Sequence, residues 1–292
     1  MITMMYWLQA KTPLHVGIGR GVGFIDLPIM REKVTGWPLV PGSAVKGVMR
    51  DYFSEKVDEK LINAAFGQAE QDADVTGNAG SLVLTDAHIV CLPIRSLYGT
   101  FAYVTSPLVL EKLKKDLLAA GYKEIPETPT PGESEAIYTP NSKLVEDNKI
   151  YFEDLDFDAK LGDDKTTKWS NVLAGAIFSE DDKWQGIFKE RFAIISDNSF
   201  NFLSDTGTEV AAHIRIEDDK KIVARGALWY EEALPVETIL AGIAWCDRVY
   251  GGNDISHETI LSTFCSSSAL NLQIGGKATV GKGRVECLFT KG

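Results

Sequence analysis

Charged residues are spread unevenly along this chain, and their distribution limits how it can fold. Between residues 1 and 50, six basic residues are opposed by only two acidic ones, Asp26 and Glu32. The balance reverses at 133–164, where acidic residues crowd a stretch that follows the proline-rich segment 126–132. Because proline neither continues a helix nor donates a strand hydrogen bond, this part of the chain is expected to lie outside the regular core.

The sequence predicts one domain that carries an insertion. Of the 292 residues, 45% are hydrophobic and 24% are charged, which is typical of a globular chain with a substantial core. We expect about 122–185 to form a loop-rich acidic insertion. The main body then consists of 1–121 and 186–292.

The overall charge excludes one class of function. With 30 basic and 41 acidic residues the net charge is −11, so the chain cannot coat nucleic acid through bulk positive potential, although a local basic track is compatible with it. No stretch approaches the roughly 20 apolar residues of a membrane span, and no signal-peptide pattern is present. The four cysteines are isolated, which indicates reduced, buried thiols. We therefore expect a cytoplasmic protein without a membrane partner.

The pattern of secondary structure indicates an α+β fold. Apolar residues at helical spacing predict a helix over 43–56, and a second helix over 106–120 begins with Ser106 as its N-cap. Extended segments alternate with these helices, which predicts a sheet with helices on one face. A projecting β-hairpin is expected at 209–228, with a polar turn at 217–220. The apolar run 238–246 fits either a strand or a buried helix.

Two glycine-rich segments are candidates for ligand-binding loops. The segment 275–284 contains a GxxxxGK pattern, but Gly283 stands where a phosphate-binding loop requires Ser or Thr, and too few residues follow for the required helix. A nucleotide site is therefore excluded. The loop can still offer N–H groups and cations to a phosphodiester, or it can be a plain turn. The residues concerned are Gly275, Gly276, Lys277, Gly281, Lys282, Gly283 and Arg284. The other loop, 15–23, lacks the dinucleotide-binding spacing and is expected at the surface.

Several residues are candidates for acid–base or metal chemistry. Asp26 lies between two apolar residues and precedes a proline, so it can bind Mg²⁺ or handle a proton at a phosphodiester, or it can simply cap a turn. His15 can act as an acid or base, or be structural. Tyr230 is followed by Glu231 and Glu232, which suits base stacking and the binding of a metal or water, but also suits ordinary packing and surface charge.

Two cations on the first predicted helix can contact phosphate. Lys46 and Arg50 are four positions apart, opposite the apolar stripe of that helix. This spacing is compatible with a phosphate track and equally with a solvated polar face.

The sequence resembles the RAMP superfamily of CRISPR proteins, and within it the family of fourth Cmr subunits, which form the repeated backbone of type III-B effector complexes. The Asp26-Leu27-Pro28 motif and the segment 228–232, Leu-Trp-Tyr-Glu-Glu, are the most specific matches. These two lie within the matching segments 25–29 and 226–235, and the other matching segments are 12–17, 31–32, 41–50, 66–67, 84–87, 93–97 and 274–283.

The resemblance implies a modified ferredoxin-like palm with a β-hairpin thumb. Copies of such a subunit form a filament on guide RNA with the other Cmr subunits, and cut complementary target RNA at regular intervals with Mg²⁺ or another divalent cation. Carried over by position, Asp26 is the catalytic and metal-binding acid. His15, Tyr230, Glu231 and Glu232 are further catalytic candidates, while Lys46, Arg50 and the 275–284 loop bind the guide. The alternatives are a non-catalytic RNA-binding scaffold and an endonuclease that processes guide precursors.

Overall fold

A computed structural model describes residues 2–21, 23–68, 77–216, 223–251 and 254–292 of the chain. The strands are β1 Ile2–Ala10, β2 Leu39–Val40, β3 Val83–Leu84, β4 Ala87–Arg95, β5 Phe101–Thr105, β6 Glu135–Tyr138, β7 Lys149–Phe152, β8 Leu155–Leu161, β9 Phe192–Ile195, β10 Glu209–Ile216, β11 Val223–Ala233, β12 Ile239–Cys246, β13 Leu270–Gln273 and β14 Arg284–Thr290. The helices are α1 Gly42–Phe53, α2 Glu59–Phe66, α3 Pro107–Ala119, α4 Asp164–Ile177, α5 Asp182–Lys189, α6 Asp197–Thr206 and α7 His257–Phe264.

The main sheet has the strand order β13-β14-β1-β12-β4-β5-β9-β6-β8-β7 and is largely antiparallel. β1 lies between β12 and β14 and pairs with both along most of its length. The ambiguous run at 238–246 is thus a strand, β12. Mixed strands and helices of this kind confirm the predicted α+β class.

Helices cover both faces of the sheet, so the prediction of helices on one face is wrong. Tyr6 and Leu8 of β1 face a core cluster that includes side chains of α1, α2 and α7. Met5 and Trp7, which alternate with them, face a second cluster built largely from α3, α4 and α5. A strand that is apolar on both sides must be covered on both sides to exclude water. The apolar run Met4–Leu8 in β1 indicates a strand that is buried on both faces.

The two predicted helices form close to their expected bounds. In α1, Val45, Met49 and Phe53 are buried at helical spacing. The side chain of Ser106 accepts a hydrogen bond from the N–H of Val109 at the start of α3, as expected for an N-cap. All four cysteines are buried and free of disulfides, which also agrees with the sequence.

The stretch 122–185 is not loop-rich, because it contains β6, β7, β8, α4 and α5. β6 pairs with β9 and β8, so the main sheet continues through this part of the chain. Acidic side chains hid the strand pattern: Phe157 is buried, whereas its neighbours Asp156 and Asp158 are exposed and form ion pairs with Lys149. Polar residues on the outer face of an antiparallel pair are typical of one-sided burial.

β10 and β11 form a separate antiparallel hairpin, as predicted. Its pairing begins at Glu209 and Ala233, and the predicted turn at 217–220 lies outside the described residues. Within the described part of the chain, no helix is long and apolar enough to cross a bilayer.

Candidate functional site

Three distant segments of the chain meet at the base of the β10–β11 hairpin. Leu14 and Leu234 exchange two backbone hydrogen bonds of 2.9 Å, which join the segment after β1 to the end of β11. The loop between β13 and β14 completes the junction, because the N–H of Gly276 donates to the carbonyl oxygen of His15 at 3.0 Å. Most of the catalytic candidates predicted from the sequence lie at this junction.

The carboxylate of Asp26 is exposed and is oriented by the backbone of β11. Its Oδ2 accepts a 2.8 Å hydrogen bond from the N–H of Tyr230, and the carbonyl of Tyr230 accepts one from Leu27 at 3.0 Å. Among the described residues, Oδ1 of Asp26 has no hydrogen-bond partner. The carboxylate thus satisfies one backbone donor and keeps one oxygen available to accept a proton or bind a cation.

Tyr230 is brought directly beside Asp26. Its side chain is 41% exposed, although the residue lies in the paired part of β11. An aromatic ring in this position can stack on a nucleobase.

His15 is buried, whereas residues 17–20 of the predicted surface loop are exposed as expected. Its Nδ1 lies 2.6 Å from the carbonyl oxygen of Glu232. A carbonyl oxygen can only accept, so Nδ1 carries the proton and donates it. The ring also packs so closely on Gly17 that a Cβ there would lie 2.7 Å from Nε2. His15 therefore supports the backbone of the junction.

Glu232 is buried and fully engaged. Its Oε1 accepts hydrogen bonds from Arg31 at 2.6 Å and from Thr208 at 3.0 Å, and its Oε2 accepts one from the N–H of Ile29 at 3.0 Å. These contacts tie β11 to the strand-like segment that carries Asp26. The side chain has the contacts of a positioning group, since both oxygens are already in use.

Glu231 lies on the opposite face of β11 and contacts the glycine-rich loop. Lys282 donates to its Oε1 at 2.7 Å, and Lys277 lies 3.3 Å from its Oε2. Burial opposes ionisation of this carboxyl, but the hydrogen bond from Lys282 and the nearby positive charge of Lys277 outweigh it and lower the pKa of Glu231. Lys277 and Lys282 are thus both paired with a carboxylate of this chain.

Two glycines of the loop, Gly275 and Gly283, are required for close packing against the backbone of this chain. A Cβ at Gly275 would collide with the carbonyl oxygen of His15, and one at Gly283 with that of Ile274; both glycines have positive φ. Gly276 and Gly281 are exposed, as is Arg284, which forms no ion pair within the described residues. The loop is more than a plain turn, because it packs against His15 and presents three cations.

Lys46 and Arg50 lie apart from this junction and are half-buried. Lys46 donates to the carbonyl oxygen of Leu82 at 2.6 Å, and burial lowers the pKa of Lys46. Arg50 donates to the carbonyl oxygen of Gly67 at 2.8 Å. The expected exposed cationic face is therefore wrong, although each side chain retains further N–H donors.

The sequence did not identify Arg31 and Thr208 as part of the site. Both contact Glu232, from 201 and 24 positions away. No local pattern reports such pairing.

The described residues contain no cluster of three or more His, Cys, Asp or Glu side chains arranged to hold a metal ion. Asp26 offers one carboxylate oxygen. Mg²⁺ is often bound by one or two carboxylates together with substrate phosphates and water. The donor set thus fits a divalent cation that arrives with a phosphodiester.

Residues 7–286 match the RAMP superfamily. The chain is 39% identical over 286 residues to the CRISPR system Cmr endoribonuclease Cmr4 of Pyrococcus furiosus, covering 96% of this chain and 92% of that protein. The crystal structure of oligomeric Cmr4 from Pyrococcus furiosus superimposes with a TM-score of 0.75 and 30% identity, over 100% of this chain and 99% of that one.

A chain in the cryo-EM structure of the type III-B Cmr-beta complex bound to cognate target RNA shares the fold. Its TM-score is 0.74 at 21% identity, with 99% and 97% of the two chains covered.

Proposed function

This chain belongs to the RAMP superfamily, and we propose that it is the repeated backbone subunit of a type III-B Cmr effector complex, in which it binds guide RNA and cleaves complementary target RNA. The observation that carries the proposal is the exposed Asp26 carboxylate at the hairpin base, with one oxygen fixed by the N–H of Tyr230 and the other open. Other copies of the chain, further Cmr subunits and the two RNAs are its partners.

The geometry supports transesterification within the target strand. In this reaction a ribose 2′-oxygen attacks the neighbouring phosphorus and the bond from phosphorus to the 5′-oxygen of the next nucleotide breaks. A 2′,3′-cyclic phosphate forms, and the departing 5′-oxygen takes a proton from solvent. Asp26 accepts the hydroxyl proton through its free oxygen. Unpairing one target nucleotide lets the hydroxyl align with the phosphorus, at a cost of a few kcal/mol.

We propose Mg²⁺ as the divalent cation, and it would be held by Asp26 and by RNA phosphates. Such an ion would supply charge stabilisation for the phosphorane-like transition state. The protein itself contributes one carboxylate, that of Asp26, which is exposed and held in a fixed direction.

Guide binding is assigned to the cations of the 275–284 loop, with Lys46 and Arg50 as weaker contributors. Lys46 and Arg50 already donate to backbone carbonyls, so fewer of their donors reach a phosphate. The hairpin at 209–228 is proposed as the thumb that separates a base pair, which brings the unpaired nucleotide to Asp26 at its base. Sequence specificity then comes from guide pairing, and the protein reads only shape and backbone.

The placement of His15 argues against a guide-processing nuclease. A histidine base must reach the hydroxyl that it deprotonates, whereas His15 is buried and its Nδ1 donates to Glu232. A purely structural scaffold would leave the open oxygen of Asp26 without a role.

One assay separates the three functions. The complex is reconstituted with its guide and incubated with end-labelled complementary RNA, with and without Mg²⁺. Evenly spaced products that end in cyclic phosphate support the proposal. If no products form with any divalent metal, the non-catalytic scaffold is the remaining function. Cutting of repeat RNA by the isolated chain would favour the processing nuclease.

A further inference from the structure

Glu231 joins the hairpin to the glycine-rich loop through two lysines at once. It is 1% exposed, yet its two oxygens face different cations: Lys282 at 2.7 Å and Lys277 at 3.3 Å. The stacked rings of His213 and Trp229, 5.6 Å apart, lie on the same face of the hairpin. A carboxylate in this setting is fixed in position, and so are the ammonium groups that it binds.

The lysines keep contact with solvent although Glu231 does not. The side chain of Lys277 is 37% exposed and that of Lys282 is 16% exposed. Two ammonium groups and one carboxylate leave the cluster with one positive charge. Each ammonium has three N–H donors, so contact with Glu231 leaves donors free for another anion.

We propose that Glu231 is a positioning residue for RNA binding: it holds Lys277 and Lys282 side by side at the hairpin base as a clamp for one phosphodiester. This rests on the proposed function, because it takes the RNA backbone as the ligand. Lysine has a long flexible side chain, and restraining two of them before binding reduces the entropy lost when RNA arrives.

The opposite effect of Glu231 is also physically sensible, and this makes the proposal testable. A carboxylate beside a phosphate site repels RNA and competes for the lysines. Neutralising Glu231 would then tighten RNA binding. If positioning dominates, neutralising it weakens binding even though a negative charge has been removed.

The test compares Glu231→Gln with Glu209→Gln in the full-length chain. Glu209 lies close enough to Lys282 for the lysine charge to oppose the rise that burial causes in the pKa of Glu209, but it forms no ion pair with Lys282 among the described residues. Binding of fluorescein-labelled single-stranded RNA of guide sequence is measured over a range of salt concentrations. We expect E231Q to bind about fivefold to tenfold more weakly, and the slope of log K against log salt to become shallower by about 0.7 as one phosphate contact is lost. E209Q should bind as the parent does, or slightly more tightly.

Two further variants protect the test from a folding defect. Glu231→Asp keeps the charge but withdraws the carboxylate by one methylene group, and we expect it to weaken RNA binding as well. The double variant E231Q/K277Q should bind RNA only slightly more weakly than K277Q alone. The small additional loss is the part of the effect of Glu231 that acts through Lys282. Equal or tighter binding by E231Q and E231D, with unchanged salt slopes, would overturn the proposal.

Failure of this inference is distinguishable from failure of the proposed function. If the parental complex cleaves target RNA and E231Q binds RNA normally, only the role of Glu231 is lost. If the parental complex does not cleave, the endonuclease function fails whatever E231Q does.

Discussion

The backbone N–H of Tyr230 donates a 2.8 Å hydrogen bond to Oδ2 of Asp26, and so joins two residues 204 positions apart. The direction of the carboxylate is therefore set by main chain, with Leu27 completing the contact through its own N–H to the carbonyl of Tyr230. A main-chain donor is preserved when side chains change. Substitutions at Asp26 can consequently remove its charge without removing its anchor.

Asp26→Asn should abolish target cleavage and leave RNA binding intact. The amide oxygen of Asn can still accept from the N–H of Tyr230, but the side chain can neither take a proton nor bind a cation as an anion. We expect the cleavage rate to fall by at least about 100-fold, the usual contribution of a general base. The reconstituted complex is assayed with end-labelled target RNA, and guide binding is measured in parallel.

A matched control for this variant is Asp164→Asn, which removes an exposed carboxylate that pairs with Lys168 within α4. It should cleave at the parental rate. Normal cutting by D26N would remove the catalytic role of Asp26.

Glu232→Gln should destabilise the fold far more than Asp205→Asn, although both remove a partner of Arg31. The Glu232 side chain is 3% exposed, whereas that of Asp205 is 62% exposed. Removing one member of a buried ion pair costs about 3–5 kcal/mol, and the partial exposure of Arg31 reduces this to roughly 2–3 kcal/mol. The exposed pair should contribute less than about 1 kcal/mol. Urea unfolding of both variants measures the difference, and equal losses would contradict the positioning role of Glu232.

The sequence predicted those elements whose signals are local. α1 and α3 were predicted from apolar spacing and from the Ser106 cap, and the hairpin from alternating residues around a polar turn. The strands within 122–185 were missed because their exposed faces are so acidic that composition masked the alternation of buried residues. The helices on the second face of the sheet were not predicted, although the apolar run Met4–Leu8 in β1 is typical of a strand buried on both faces.

The sequence offered Asp26 as a candidate from its Asp-Leu-Pro setting, but it predicted neither the contact of Asp26 with Tyr230 nor the contacts of the other candidates. Glu231 and Glu232 look alike in sequence, and adjacent strand positions point to opposite faces. One therefore contacts Lys277 and Lys282, and the other contacts Arg31. Which cation contacts which acid depends on residues that are between 46 and 201 positions apart in the chain. Such distant contacts cannot be predicted from a single sequence.

Gly275→Ala should destabilise the chain more than Gly281→Ala. Both glycines have positive φ, which costs an L-residue about 1–2 kcal/mol. Only at Gly275 would the new methyl group also collide with backbone, at the carbonyl of His15, whereas the space around Gly281 is open. We expect G275A to lose about 1–3 kcal/mol more in free energy of unfolding. Equal losses in urea unfolding would show that the loop does not pack on His15 as described.

All four cysteines should resist thiol reagents in the native protein. Cys91, Cys246, Cys265 and Cys287 are buried, and burial raises the pKa of each thiol. The thiolate is the reactive species, so both access and ionisation oppose modification. Titration with Ellman's reagent should detect no fast-reacting thiol at neutral pH and four after denaturation in urea. A fast-reacting thiol in the native state would contradict the burial of that cysteine.

Stability should depend on pH in opposite ways through Glu231 and Glu209. Burial disfavours the charged form of Glu231, but Lys282 and Lys277 outweigh it and lower its pKa; burial raises the pKa of Glu209. A carboxyl with a lowered folded pKa stabilises the fold fully above its ordinary pKa of about 4.3. That stability is lost as the pH falls through the folded value. A carboxyl with a raised pKa behaves inversely, since its ionisation above about pH 4.3 destabilises the fold.

Glu231→Gln should therefore be less stable than the parent at neutral pH, and this difference should shrink as the pH falls below about 4. Glu209→Gln should be slightly more stable than the parent at neutral pH, and its advantage should also vanish in acid. Free energies of unfolding in urea, measured from about pH 7 to about pH 3, give both differences. Because both variants remove one acidic charge, net charge alone would shift them in the same direction. Stability of E231Q equal to or above that of the parent at neutral pH would show that Lys277 and Lys282 do not hold Glu231 ionised.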